Sequence, residues 1–353
     1  MNKSIVAVVK TSPKTIFEDY KKVMEMAKYG KIIRRKRRTI LKLNLSWNLF
    51  YPACSSPPWQ VEGVLRTLVK NGYKKIIAVE NKTVVTDATK GCQQNKWNSI
   101  FKKYDIDFLP LYNTKWVNYK PKHDLLVLDK VFDEKIKIPE IFLNANMIHL
   151  PTQKTHGHSV MTGAMKNAFG GLLKEARHHY HRYIHEVLVD LLSIQKEIHP
   201  GLFAIVDGTV CGNGAGPRTM KWAIKNHILA SDDMVAIDAI SAKMMGFDPM
   251  SIPKIKLAHD LGLGCGDVNQ IEIVGEDITK INYKFEVKKS PVIFFDRLLR
   301  GSFMEPLLFH TWFFNFCIVG SAVYHDYIWY SILGKRRVNE FMKTEWGKIF
   351  QIY

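Results

Sequence analysis

Three features of the sequence predict an α/β fold: mostly parallel sheet flanked by helices, with a C-terminal aromatic helical tail. Short β-branched apolar runs recur along the first 206 residues and are mostly separated by stretches of helical periodicity. One amphipathic helix runs straight into a strand, as in a βαβ unit. Toward the C-terminus the chain changes character, and Leu307 to Leu333 is aromatic with Asp326 its only acidic residue. In chain order, strands are predicted at Ile5–Val9, Thr39–Leu43, Lys75–Val79, Asp107–Leu111, Asp124–Leu128, Met147–Leu150 and Leu202–Val206. Gln60 to Asn71 places Val61, Val64, Leu65, Leu68 and Val69 on one helical face, and Gly72 can take the left-handed conformation that ends a helix. Met161 to Leu173 also reads as helix. Met234 to Met244 reads as a largely buried helix opened by Ser231-Asp232-Asp233, whose side-chain oxygens can accept first-turn amides. The expected division is an α/β unit over 1–283, of one or two lobes, and an extension over 284–353.

The composition is that of an ordinary globular protein except in the sign of its charge. Lys and Arg number 51 against 33 Asp and Glu, a formal +18, which favours anionic partners: a phosphorylated or carboxylated metabolite, an acidic membrane surface, or nucleic acid. Nucleic acid is the least favoured, because no recognition motif accompanies the charge. The basic run Lys31 to Arg38 suits a solvated loop or a phosphate-rich partner. Cys54, Cys92, Cys211, Cys265 and Cys317 are widely spaced and odd in number, which fits neither a disulfide framework nor a Cys-x-x-Cys metal site. With only a short apolar run near the N-terminus, a cytoplasmic protein is expected, peripheral at a membrane if the tail is used there. In that tail, Leu307 to Leu333 is rich in Phe, Trp and Tyr, and Lys335-Arg336-Arg337 follows it. Its length would permit a span of about 20 residues, but His310, Asn315, His325, Asp326 and Gly320 interrupt it. Packing on the core and an aromatic membrane-surface element both stay open.

Chemistry concentrates in Lys154-Thr155-His156-Gly157-His158 and Lys166-Asn167-Ala168-Phe169-Gly170-Gly171. The first follows a predicted strand end, where ligands collect in open α/β sheets. His156 could serve as acid, base or metal ligand, Lys154 and Lys166 could hold carboxylate or phosphate oxygens, and His158 and Asn167 could bind substrate. The alternative is loop-capping histidines and surface lysines. His178, His179, His181 and His185 crowd one segment, and His181 with His185 would share a helical face. The zinc-protease glutamate is absent, however, and Arg177 and Arg182 oppose a cation, so no metal site is assigned. Asp207 to Pro217 is expected to leave a strand as a glycine loop in which Gly212, Asn213, Gly214 and Gly216 expose amides to an anion. Its Gly-x-Gly-x-Gly-Pro spacing matches no nucleotide fingerprint.

Taken together, Lys42-Leu-Asn44, Lys154-Thr-His156, Lys166-Asn167-Ala-Phe-Gly170, Asp207, Gly212-Asn-Gly214-Ala-Gly216-Pro217, Ile228-Leu-Ala-Ser231, Asp233, Asp238 and Gly246-Phe-Asp248-Pro resemble domain of unknown function 362, over roughly Ile5 to Glu276. That resemblance names no reaction. Some relatives carry cysteine-ligated iron-sulfur modules, which implies redox work for them; this chain has no such motif, so a redox step here would need an external electron donor. A lactate-racemase-type enzyme offers an analogy for histidines and a lysine around a small anion. The cofactor is left unknown. The expected function is an enzyme, oxidoreductase or isomerase in type, acting on a small anionic substrate. His156, Lys166 and Asp207 would be its catalytic groups, converging on one cleft with Lys154 and the glycine loop. The other expectation is a membrane-surface or binding protein that uses the basic and aromatic segments.

Overall fold

In the structure, a computed structural model, residues 3–130, 135–174, 177–300, 302–303, 305–309 and 311–353 are described. His310 therefore lies outside the described residues. The strands are β1 (Ile5–Lys10), β2 (Thr39–Lys42), β3 (Ile76–Glu80), β4 (Asp107–Pro110), β5 (Trp116–Asn118), β6 (Lys137–Pro139), β7 (Asn146–His149), β8 (Thr152–His156), β9 (Val160–Met161), β10 (Leu202–Ala215), β11 (Thr219–Ser231) and β12 (Glu272–Gly275). The main sheet runs β12-β1-β11-β10-β7-β2-β3-β4, with β8 and β9 attached to β10. From β10 through β7, β2 and β3 to β4 every pairing is parallel. The other half is mixed, because β10 and β11 form a long antiparallel hairpin and β1 lies antiparallel to β11 but parallel to β12.

Strand side chains alternate between two faces. Leu41, Ile148, Ile205 and Ile228 pack with helices Ile16–Met26, Pro58–Lys70 and Trp97–Tyr104. Their neighbours Ile40, Met147, Val206 and Leu229 meet the opposite helical layer, built from Ile184–Ile198, Met234–Met245 and Pro253–Asp260. Asp233 caps Met234–Met245 as expected, accepting the amides of Val235 and Ala236 at 2.8 and 3.0 Å.

Three expected elements differ. Asp124–Leu128 is no strand: the buried Asp190 carboxylate accepts the amides of Leu126, Val127 and Leu128, which winds the segment into turns. Met161–Leu173 is split into Gly163–Asn167 and Phe169–Leu172. The glycine loop is strand, since β10 continues through Ala215. Close packing explains this. A Cβ at Gly212 would overlap Met220 Sδ, and one at Gly216 would overlap the Thr155 carbonyl, so the glycines let β8 lie against the hairpin.

The basic run leaves the helix Tyr29–Ile32, buries Ile33, and from Arg34 to Arg38 forms an exposed turn leading into β2. The C-terminal extension packs in part on the core. Trp47, fully buried, donates to Asp326 Oδ1 at 2.6 Å and meets Trp329, while Trp346 packs on Trp59. Among the described residues no helix is long and apolar enough to cross a membrane.

Candidate active site

A cavity of about 570 Å³ opens beyond the carboxyl ends of β2 and β3. Its floor is polar. Lys42 ends β2 and Glu80 ends β3, and they form a buried ion pair at 2.7 Å; Lys42 also donates to the Leu43 carbonyl. Glu80 Oε1 is taken by Lys42 and by the Asn81 amide, but among the described residues the buried Oε2 has no partner, and neither has the Thr162 hydroxyl in the same wall. Arg177 reaches the floor beside Gly170, where Lys42 and Glu80 also lie.

The turn that presents Lys166 and Asn167 is pinned from below. Gly163 has φ +70°, a conformation that suits glycine, and its neighbours Ala164 and Met165 donate to the Asp238 carboxylate. Lys254 completes this anchor, reaching Asp238 at 3.1 Å and the Thr162 carbonyl at 2.8 Å, with both charged side chains fully buried. Asn167 lines the cavity, but its amide already donates to the Lys42 carbonyl and accepts from Asn44.

Lys166 and Lys154 divide sharply. Lys154 is fully buried beneath the cavity, and its Nζ has three acceptors: Asn44 Oδ1, the Cys54 carbonyl and Thr152 Oγ1, at 2.5, 2.6 and 2.7 Å. Burial pulls its pKa down to about 8. Lys166 is half-buried and faces the cavity; its one close interaction among the described residues is with the Phe169 ring, 5.3 Å from the centroid. Burial, then the positive field of Lys154, Arg177, Lys254 and Lys42, lowers it to about 7. It exchanges a proton near neutrality.

His156 is held with Nδ1 accepting the amides of His158 and Ser159 at 3.2 and 3.3 Å. Burial, reinforced by Lys166 and neighbouring histidines, keeps the ring well below its ordinary pKa. A neutral ring whose Nδ1 accepts must carry its proton on Nε2, so His156 offers the cavity a donor rather than a base. His158 also lines the wall, lowered to about 4 chiefly by burial, with Asp296 3.5 Å away and the His181 ring 4.9 Å away.

His156, His158, Lys166 and Asn167 thus meet in one cavity, but the expected single cleft needs correction. Lys154 lies under it, and Asp207 faces the other side of the sheet, on the same strand face as Ile205. There Asp207 Oδ2 accepts from Tyr20 and Trp59 at 2.5 and 3.1 Å, and Oδ1 accepts from the Thr209 hydroxyl and amide. Gly212, Asn213, Gly214 and Gly216 do not line the cavity either. They brace the histidine turn instead: Thr155 donates to the Gly214 carbonyl and Gly157 to that of Gly216. His181 and His185 share no helix, since His181 sits in a 3-10 turn and His185 accepts the Lys254 amide in the helix that follows. Among the described residues no group of three His, Cys, Asp or Glu is arranged to hold a metal.

Glu80 and Lys254 were missed by the sequence reading. A signal for the first existed, since β2 and β3 are apolar strands that each end in one charge.

The family model described as a domain of unknown function (DUF362) matches residues 39–243. The chain belongs to the DUF362 family. The match takes in the floor from Lys42 to Asp238, is narrower than the span read from sequence, and stops short of Lys254 and the extension. A thylakoid-associated protein of Synechocystis sp. is 25% identical over 244 residues, which is 66% of this chain and 71% of that protein. No solved structure matches the chain.

Proposed function

We propose that this DUF362 protein is an enzyme acting on a small carboxylate or phosphate in the cavity at the ends of β2 and β3. The observation that carries this reading is Lys166: a cavity-facing amine with no acceptor among the described residues, beside an unpaired Glu80 Oε2 and a His156 ring whose Nε2–H is uncommitted. Buried polar atoms without partners are costly, and a bound anion would accept from Lys166 and the His156 Nε2–H, while Glu80 Oε2 is left to accept from a hydroxyl of the ligand. Arg177 and Lys42 supply the attracting field, Lys166 transfers the proton, and His156 donates a hydrogen bond to oxygen that gains charge in the reaction. An isomerase-type proton transfer needs no further group. An electron-transfer reaction would draw on an external donor.

The test is calorimetric titration of the full chain with inorganic phosphate and with acetate at pH 6 and pH 8. Because protonated Lys166 is the cationic form, one of the two anions should bind more tightly at pH 6, and Lys166→Met should remove that pH dependence beyond what phosphate's own titration in this range causes. Equal affinities for wild type and variant at both pH values would sink the reading.

A second reading, attachment to an anionic membrane surface, is favoured by one observation. Phe295, Leu298 and Phe316 on the extension are 58%, 62% and 61% exposed, with Lys335 and Arg336 exposed nearby in the chain. The relative's thylakoid association agrees with it.

A further inference from the structure

The cavity has two chemically different halves. Opposite the charged floor, its roof is made by helices Pro291–Leu299 and Phe314–Ala322, with Phe309 from the helix Glu305–Phe309 and Tyr324 from the π-helix Val323–Gly334 beside them. From there Ile293, Leu299, Phe309, Phe314, Ile318 and Tyr324 face inward. Roof and floor are contiguous. Ile293 lies so close to Gly157 that a Cβ there would overlap it, and Asp296 reaches His158 while holding Arg300 through two hydrogen bonds at 2.9 and 3.0 Å. An apolar wall therefore begins one residue from His156. A bare phosphate or acetate would pair with Lys166 but leave that roof facing water. The volume, about 570 Å³, lies within the range of roughly 300–1,000 Å³ that holds drug-sized molecules.

Building on the anion reading above, we infer that the ligand is an amphiphile: a carboxylate or phosphate head on the Lys166 side, joined to an apolar chain that lies under the two roof helices. The roof selects the chain by the area it removes from water, and the floor orients the head.

A homologous series tests this on the full chain at pH 6: inorganic phosphate, then ethyl, butyl, hexyl and octyl phosphate, with octanol as the uncharged control. Each methylene buried under the roof should tighten binding by roughly fourfold until the cavity is full. Octanol should bind far more weakly than octyl phosphate. Ile318→Ser, which removes apolar area without adding charge, should flatten the series. If inorganic phosphate binds and the wild-type series is flat, the amphiphile is wrong and the small-anion reading stands. If octanol matches octyl phosphate, the head is irrelevant and both fail; if no member binds, both fail as well. The wild-type series decides the matter even if the variant does not fold.

Discussion

Around Asp207 every carboxylate oxygen is matched by a donor: Tyr20, Trp59 and Thr209 close on it in a recess of about 10 Å³. Around Lys166, on the other face of the sheet, an amine, a glutamate oxygen and a hydroxyl have no hydrogen-bond partner among the described residues, in a cavity more than fifty times larger. Both places bury ionisable groups and both read as catalytic in the sequence. The difference is in what remains unsatisfied. A closed set of hydrogen bonds stabilises the fold and has nothing left to offer a ligand, whereas unpaired buried atoms cost stability and gain partners only when something binds.

The largest effect that would sharpen this contrast is expected at Lys254. Lys254→Met leaves Asp238 buried without its cation, so the variant should lose about 3–5 kcal/mol in urea unfolding. The turn carrying Lys166 would loosen with it. A loss below about 1 kcal/mol would mean that Asp238 is held well enough by the Ala164 and Met165 amides alone.

Next comes Lys166→Met. A hydrogen bond to a charged group contributes about 1.5–3 kcal/mol, so anion affinity should fall roughly ten- to a hundredfold at pH 6. Because no acceptor is stranded, unfolding should barely change. Lys154→Met should do the reverse, destabilising the fold by stripping Asn44, Cys54 and Thr152 of their donor. If the two variants behave alike, the distinction between the lysines collapses.

Asp207→Asn should cost about 1–3 kcal/mol near pH 4 and leave phosphate affinity untouched. The sign of its pH dependence follows from burial, which raises the folded pKa to about 6 from 3.8. A raised carboxyl stabilises fully below the unfolded value and loses that contribution as pH climbs through 6. The stability gap between wild type and variant should therefore narrow from pH 4 to pH 7. A widening gap, or a change in anion affinity, would return Asp207 to the list of site residues.

The smallest stability effect is expected on the outer face of the roof. Leu298→Ser with Phe316→Ser should shift unfolding by less than about 0.5 kcal/mol each, since both side chains are mostly exposed. In co-sedimentation with anionic vesicles at low salt, the same pair should release the protein, and added salt should weaken wild-type binding. Vesicle binding that survives both changes would remove the membrane reading.

Local rules were enough for part of this protein. The order of β1, β2, β3, β4 and β7 and the helix Pro58–Lys70 could be read because apolar periodicity, caps and helix-ending residues act within a few positions. The same holds for Asp233 as a cap, and for the chemical density of residues 154–171. Only the tertiary structure decided that Lys154 and Lys166 have opposite fates, because that depends on Asn44 and Cys54, a hundred residues away in the chain. It also decided that Asp207 turns from the cavity, through its place on the Ile205 side of β10, and that Asp190 keeps residues 124–128 out of the sheet. The glycine run shows the limit most clearly. In sequence it looks like a loop that exposes amides, yet in the fold it is strand, and at Gly212 and Gly216 Met220 and Thr155 come so close that only hydrogen fits where a side chain would be.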